Sequence, residues 1–308
     1  MISQKKLLRD GKLHIFLLGS GGPMNNDKRV ASSIGLIAGK QFLLFDVGPG
    51  SYRNVDVMRL PAENLSAIFL THFHSDHIGD LGEANMLSWV NGRDHPLDVY
   101  GPKGVERVVK GFEMAYKLDT GYRIAHHGSD IMSQENAKMI SHTISFETTT
   151  ERILCFNRNG LKVFAFEVEH PPIKPALGYR IEYKGNVIAI TGDTIKTTDL
   201  ITHCKNADIL FSEAISYIML NNIISGAQKL NLERYAKILT DIQNYHMNPL
   251  TAAELAQEAH VKKLVFVHIT PPLSTEKAEK LYLKGVDEKF DGEIVLGKDC
   301  MKFQFEEK

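Results

Sequence analysis

Thr71-His72-Phe73-His74-Ser75-Asp76-His77 is the stretch on which the reading of this chain turns. Four side chains able to ligate a metal, His72, His74, Asp76 and His77, stand within six residues. The run before them, Ala67-Ile68-Phe69-Leu70, has the composition of a buried strand, and a helical pattern starts at Ile78. The motif therefore sits on the loop leaving a strand. Side chains alternate along extended backbone, so His72 and His74 point to one side. The turn that follows can swing Asp76 and His77 toward a neighbouring point, giving two adjacent metals two groups each. A merely polar loop is the weaker reading, because clustered imidazoles repel one another when protonated.

A dinuclear site needs more ligands, and the chain offers them at the ends of apolar runs. His170 follows residues 164–168, Asp193 follows 187–191 and His268 follows 264–267. Any one of these alone reads as a buried histidine or a turn aspartate; together they form a pattern. Strands are expected over 13–18, 34–38, 41–46, 67–71 and 98–100, then over 161–168, 177–183, 187–191, 209–212, 263–267 and 302–306. Helices are expected over 78–90, 105–117, 232–242 and 251–260, the last with Thr251 as N-cap and Glu254 closing a capping box. Strands in both halves with helices among them suit two sheets packed face to face, helices outside. Residues 121–158 are the least patterned and read as an insertion or lid on a single domain, 1–308.

At 308 residues there is ample chain for a sizeable core. A net charge of −1 argues against wholesale binding to nucleic acid or membrane. Cys155, Cys204 and Cys300 are too few and too scattered for a disulfide framework or a thiolate metal site. No signal peptide or transmembrane span is read near Met1, which favours the cytoplasm, although a leader removed beforehand would leave the same sequence.

The chain resembles the metallo-β-lactamase superfamily, in the branch that holds ribonuclease Z and arylsulfatase-type hydrolases. The matching segments are Leu18-Gly19-Ser20-Gly21-Gly22, Phe45-Asp46-Val47-Gly48, the His-x-His-x-Asp-His run, Tyr100-Gly101-Pro102, Gly178-Tyr179-Arg180, Gly192-Asp193-Thr194, Ser212-Glu213-Ala214 and Val267-His268-Ile269. The resemblance implies a four-layer αββα sandwich. It also implies that His72, His74 and His170 hold one metal, that Asp76, His77 and His268 hold the other, and that Asp193 bridges them. Imidazole and carboxylate donors suit two zinc ions, with manganese or iron as substitutes. A histidine at position 74, where related di-iron redox proteins carry glutamate, favours hydrolysis.

The expected nucleophile is hydroxide formed from water between the ions, with Asp76 orienting it. Two divalent cations, two carboxylates and a hydroxide leave a formal charge of about +1, which favours an anionic ester. In ribonuclease Z-like proteins a histidine supported by a glutamate protonates the leaving oxygen, and His246 with Glu213 occupy the matching positions. The leading expectation is an arylsulfatase-like or phosphodiesterase-like hydrolase of small anionic esters. Segments 88–93 and 121–126 resemble arylsulfatase-like members, and residues 181–191 leave room only for a hairpin where many ribonuclease Z proteins carry a tRNA-gripping arm. The alternatives are ribonuclease Z itself, cutting the 3′ trailer from precursor tRNA, a glyoxalase II-type thioesterase, and a non-enzymatic metal scaffold. Dimers are common among the proteins it resembles.

Overall fold

A strand buried on both faces asks for a continuous apolar run rather than alternation, and residues 13–18 supply one. In the computed structural model this run becomes β1 (Leu13–Gly19), buried at every position. The structure describes residues 4–148 and 150–308. Its first half comprises α1 (Gln4–Leu7), β1, β2 (Ser33–Ala38), β3 (Gln41–Phe45), α2 (Arg53–Val57), β4 (Leu65–Phe69), α3 (Ser75–Ile78), α4 (Leu81–Val90), β5 (Leu97–Gly101), α5 (Val105–His127) and β6 (Met139–Thr143). The second half opens with β7 (Arg152–Arg158), β8 (Leu161–His170), β9 (Ile173–Tyr183), β10 (Asn186–Ile190), α6 (Thr198–Cys204), β11 (Ile209–Ile215) and α7 (Tyr217–Lys229). It closes with α8 (Glu233–Asp241), α9 (Pro249–Glu258), β12 (Lys263–Thr270), α10 (Glu276–Tyr282), β13 (Glu293–Leu296) and β14 (Lys302–Phe305).

Two sheets result, ordered β14-β1-β2-β3-β4-β5-β6 and β13-β12-β11-β10-β9-β8-β7. In the first, β3 to β6 run parallel; in the second, β10 to β13 do. The sheets face each other across an aromatic core in which Phe69 lies against Phe45, Tyr100, Phe156 and Tyr179, ring centroids 4.8–5.8 Å apart. The outer face of the first sheet is covered by Leu81 and Ala84 of α4 and by Val105 and Val109 of α5. That of the second is covered by Ala252, Ala253, Leu255 and Ala256 of α9. The fold is the expected αββα sandwich. Among the described residues no helix is long and apolar enough to cross a membrane.

Several local expectations need correction. The helix anticipated over 78–90 is two pieces, α3 and α4, and Asp76 and His77 lie inside α3 rather than on a turn. The N-cap of α9 is Asn248, whose side chain accepts from the Leu250 and Thr251 N–H groups, with Pro249 opening the helix. Thr251 is therefore inside the helix. Residues 121–158 are not patternless: they finish α5 and supply β6 and β7, the last strand of each sheet.

Candidate metal centre

Ligands in open α/β sheets gather beyond the carboxyl ends of parallel strands, and this rim collects the chemistry here. Past β4 the chain delivers His72 and His74 in extended form, with His74 as the residue before α3 (φ −62°, ψ 147°). The short helix then places Asp76 and His77 on the same side. Behind this loop the two sheets are stitched together: Leu177 N–H donates to Thr71 O (2.9 Å) and Tyr179 OH donates to Leu70 O (2.6 Å). The second sheet contributes His170 at the end of β8, Asp193 after β10 and His268 within β12.

All seven expected ligands converge. One group is His72, His74, His170 and Asp193, and a second is Asp76, His77 and His268, the donor atoms within each lying inside 4.8 Å of one another. Asp193 Oδ2 stands between them, 3.3 Å from both His77 Nε2 and His268 Nε2 and 3.9 Å from His72 Nε2. His72 Nε2 and His74 Nδ1 are 2.9 Å apart, a separation a shared cation at about 2.0–2.1 Å from each nitrogen would accommodate.

The outward nitrogens are held so that the inward ones are free, which is how metal-binding histidines are oriented. His170 Nδ1–H donates to Tyr245 O (3.0 Å), and His77 Nδ1–H donates to Asp46 Oδ2 (2.8 Å). The Nε2 atoms of His77 and His170 are buried and without a hydrogen-bond partner. Thr71 Oγ1 accepts from His72 Nδ1 (3.0 Å) and donates to Asp46 Oδ2 (2.9 Å). One aspartate thus fixes the tautomers of two histidines. In the sequence Asp46 stands only within the matching segment Phe45-Asp46-Val47-Gly48, with no role attached to it. Orphaned imidazole nitrogens beside buried carboxylates are the donor set that a pair of divalent cations fits.

The electrostatics are mixed: burial acts to lower His77, but Asp193 and Asp46 outweigh it and hold it well above the usual imidazole range. Burial lowers His72 well below the usual imidazole range and takes His170 down to about 4, so both are neutral donors. Burial works against ionisation of Asp193 too, but His268 and His77 hold its carboxyl well below the ordinary value. His268 has a left-handed backbone, φ 50°, strain of the kind stored at functional sites. The loop 19–22 packs on it, Ile269 N–H donating to Ser20 O (3.0 Å). A Cβ on Gly22 would stand 2.5 Å from Thr270 Oγ1 and 3.1 Å from His268 Cε1, so only glycine fits.

His246 and Glu213 also meet at this rim. His246 Nδ1 lies 3.2 Å from Glu213 Oε1, which also accepts from Met247 N–H and Thr194 N–H. The His246 ring stacks on His268 at 5.5 Å and approaches His170 at 4.9 Å. Burial acts to lower its pKa, but Glu213 and then Asp193 outweigh that and push it up to about 9. A buried imidazolium beside clustered ligands is equipped to give a proton away. His126 and His127 are exposed at the end of α5. Trp89 is a core residue whose Nε1–H donates to Ser133 O (3.0 Å).

The model of the β-lactamase superfamily domain matches residues 42–269. This chain belongs to the metallo-β-lactamase superfamily. It is 31% identical to a ribonuclease Z of Mycobacterium bovis over 295 residues, covering 95% of this chain and 98% of that one. A ribonuclease Z of Mycolicibacterium paratuberculosis is 30% identical over the same shares. Among solved structures, the metallo-β-lactamase fold protein YhfI of Bacillus subtilis superposes with a TM-score of 0.67 at 19% identity, over 96% of this chain and 100% of that one. Human tRNase Z, short form, gives 0.67 at 21%, over 94% and 98%. The chain is a metal-dependent hydrolase of this superfamily.

Proposed function

We propose that this chain hydrolyses phosphodiesters at a two-metal centre in the manner of ribonuclease Z, with precursor tRNA as the substrate class. The observation that carries the reading is the buried His246–Glu213 pair set against the ligand cluster. A ribose oxygen leaving an RNA chain is a poor leaving group and needs a proton, whereas an activated aryl oxygen does not. The relatives named ribonuclease Z at about 30% identity over nearly the whole chain support the same choice. They favour it over the small anionic esters, sulfate or phosphodiester, that are the leading expectation from the sequence.

In this reading His72, His74 and His170 hold one ion, Asp76, His77 and His268 the other, and Asp193 both. Zinc suits this donor set, with manganese or iron as substitutes. When bound, such ions supply Lewis acidity and activate water. Asp76 is held ionised: burial opposes this, but the His268 hydrogen bond and the His77 charge lower its pKa. Its carboxylate orients the attacking water, His246 protonates the leaving oxygen, and Glu213 keeps His246 charged and correctly turned.

Small anionic esters remain the second reading, favoured by one feature. β9 and β10 are joined by the tight turn Lys184-Gly185, with no arm to reach a distant part of a tRNA. The test compares a precursor tRNA, an activated aryl phosphodiester and an aryl sulfate on the metal-loaded protein. His246→Ala is expected to keep its metal content and to slow tRNA cleavage by about 10²–10⁴-fold, with a much smaller loss on the activated diester. Equal losses on the two would remove the proton-donor role. Turnover of the aryl sulfate alone would return the assignment to the sulfatase reading.

A further inference from the structure

The ligand cluster is closed on most sides and open on one. His72, His77, His170, Asp193, His246 and His268 are each no more than 6% exposed, whereas His74 is exposed and Tyr245 only half-buried. A substrate therefore reaches the cluster past these two side chains. The Tyr245 ring stands 5.2 Å from the His170 ring, nearly perpendicular to it at 78°, and 5.0 Å from the His246 ring. Edge-to-face contact of this kind is a preferred aromatic geometry and holds a ring in one orientation. The backbone here is held as well. Tyr245 O accepts from His170 Nδ1–H (3.0 Å), Tyr217 OH donates to His246 O (2.6 Å), and Ile215 N–H donates to Met247 O (2.9 Å).

The fold makes no other use of this ring. Tyr179, Tyr217 and Tyr282 each donate their hydroxyl to a backbone carbonyl, at 2.6–2.9 Å. The Tyr245 hydroxyl donates to none of the described residues, and the ring joins none of the apolar clusters that make up the cores. An aromatic side chain kept part in water at the mouth of a polar site is placed to receive a flat group of the ligand. Every nucleobase presents such a π-face. The position along the chain says which base. Tyr245 immediately precedes His246, the group that protonates the leaving oxygen in the reading above, so its ring flanks the leaving side of the scissile bond.

We propose that Tyr245 determines specificity by stacking on the base of the nucleotide that carries the leaving oxygen. The proposal rests on the tRNA reading above, and the test separates the two. The probe is a precursor tRNA made with an abasic ribose either at that nucleotide or at the one across the scissile bond, offered to the metal-loaded protein. Removing the leaving-side base is expected to lower kcat/KM of the parent about 5–100-fold, the range of one base–aromatic stack, and removing the other base much less. Tyr245→Leu should lose as much on the intact substrate and nothing more on the leaving-side abasic one. It should also keep the parent's metal content, because the backbone carbonyl still holds His170. Tyr245→Phe should retain the preference for the intact base. The proposal is overturned by a Tyr245→Leu variant as sensitive to the leaving-side base as the parent, by Tyr245→Phe behaving as Tyr245→Leu, by sensitivity at the opposite nucleotide instead, or by loss of metal from Tyr245→Leu. A parent that cleaves all three substrates equally well overturns this inference alone; a parent that cleaves none of them overturns the tRNA reading with it.

Discussion

Asp46 shows how one side chain outside the ligand set can govern it. Its carboxylate takes the Thr71 N–H at 2.8 Å, the Thr71 hydroxyl at 2.9 Å and His77 Nδ1–H at 2.8 Å, and through Thr71 it also orients His72. Asp46→Asn would set an amide NH₂ against these donors. Metal affinity is expected to fall about 10–100-fold, measured by chelator competition; an unchanged affinity would show that His77 and His72 orient themselves. The seven candidate ligands could be picked out of the sequence because metal chemistry restricts donors to a few residue types, here clustered between 72 and 77 or placed at strand ends, and the fold brings them together. The roles of Asp46, Thr71 and the Tyr245 carbonyl were not readable. They act through hydrogen bonds that exist only once β3, β4 and the 242–248 loop are side by side, and a backbone carbonyl leaves no mark in a sequence.

At the scale of elements, the loop carrying His246 hangs from α7. Tyr217 OH donates to His246 O at 2.6 Å and to Gln243 O at 2.9 Å, while the neighbouring Tyr245 O holds His170. Tyr217→Phe is expected to cost about 1 kcal/mol of stability, read from urea unfolding, and to lower kcat with KM held. A variant equally stable and equally active would mean that the loop holds itself. α7 was missed from the sequence; its Leu220, Ile224 and Ala227 pack with Ala236 and Leu239 of α8 and with Ile215 at the end of β11 in a small core beside the main ones. The central strands were legible from their apolar runs. β6, β7 and β13 were not, because these edge strands are half exposed and lack such runs. For α9 the sequence reading put the cap at Thr251; Asn248 takes that place because Pro249 suits the first helical position, and Glu254 pairs with Lys289 instead (2.8 Å).

For the molecule as a whole, Asp208 ties the chain's end to its second sheet, pairing with Lys308 and with Lys262 (3.0 Å) and accepting from Val187 N–H (2.8 Å). Burial acts to raise its pKa, but Lys308, Val187 and Lys262 outweigh burial and leave it depressed. A carboxyl depressed in the folded state contributes stability above its unfolded pKa, about 3.9, and loses it as pH falls through the folded value. Asp208→Asn should therefore be less stable than the parent at pH 7, with the gap closing in acid below about pH 4. Denaturant midpoints across that range test it, and a gap independent of pH would assign the loss to packing.

The ligand cluster draws His72, His74, Asp76 and His77 from one sheet and His170, Asp193 and His268 from the other. Ions seated there would rivet the halves of the sandwich together, so folding and loading become one thermodynamic event. The melting temperature then serves as an internal gauge of free cation, rising with each tenfold excess over the dissociation constant by about 1.4 kcal/mol of added stability. Chelation should shift the transition down, and readdition should restore it; a melting curve indifferent to both would mean that the sheets hold without the rivet.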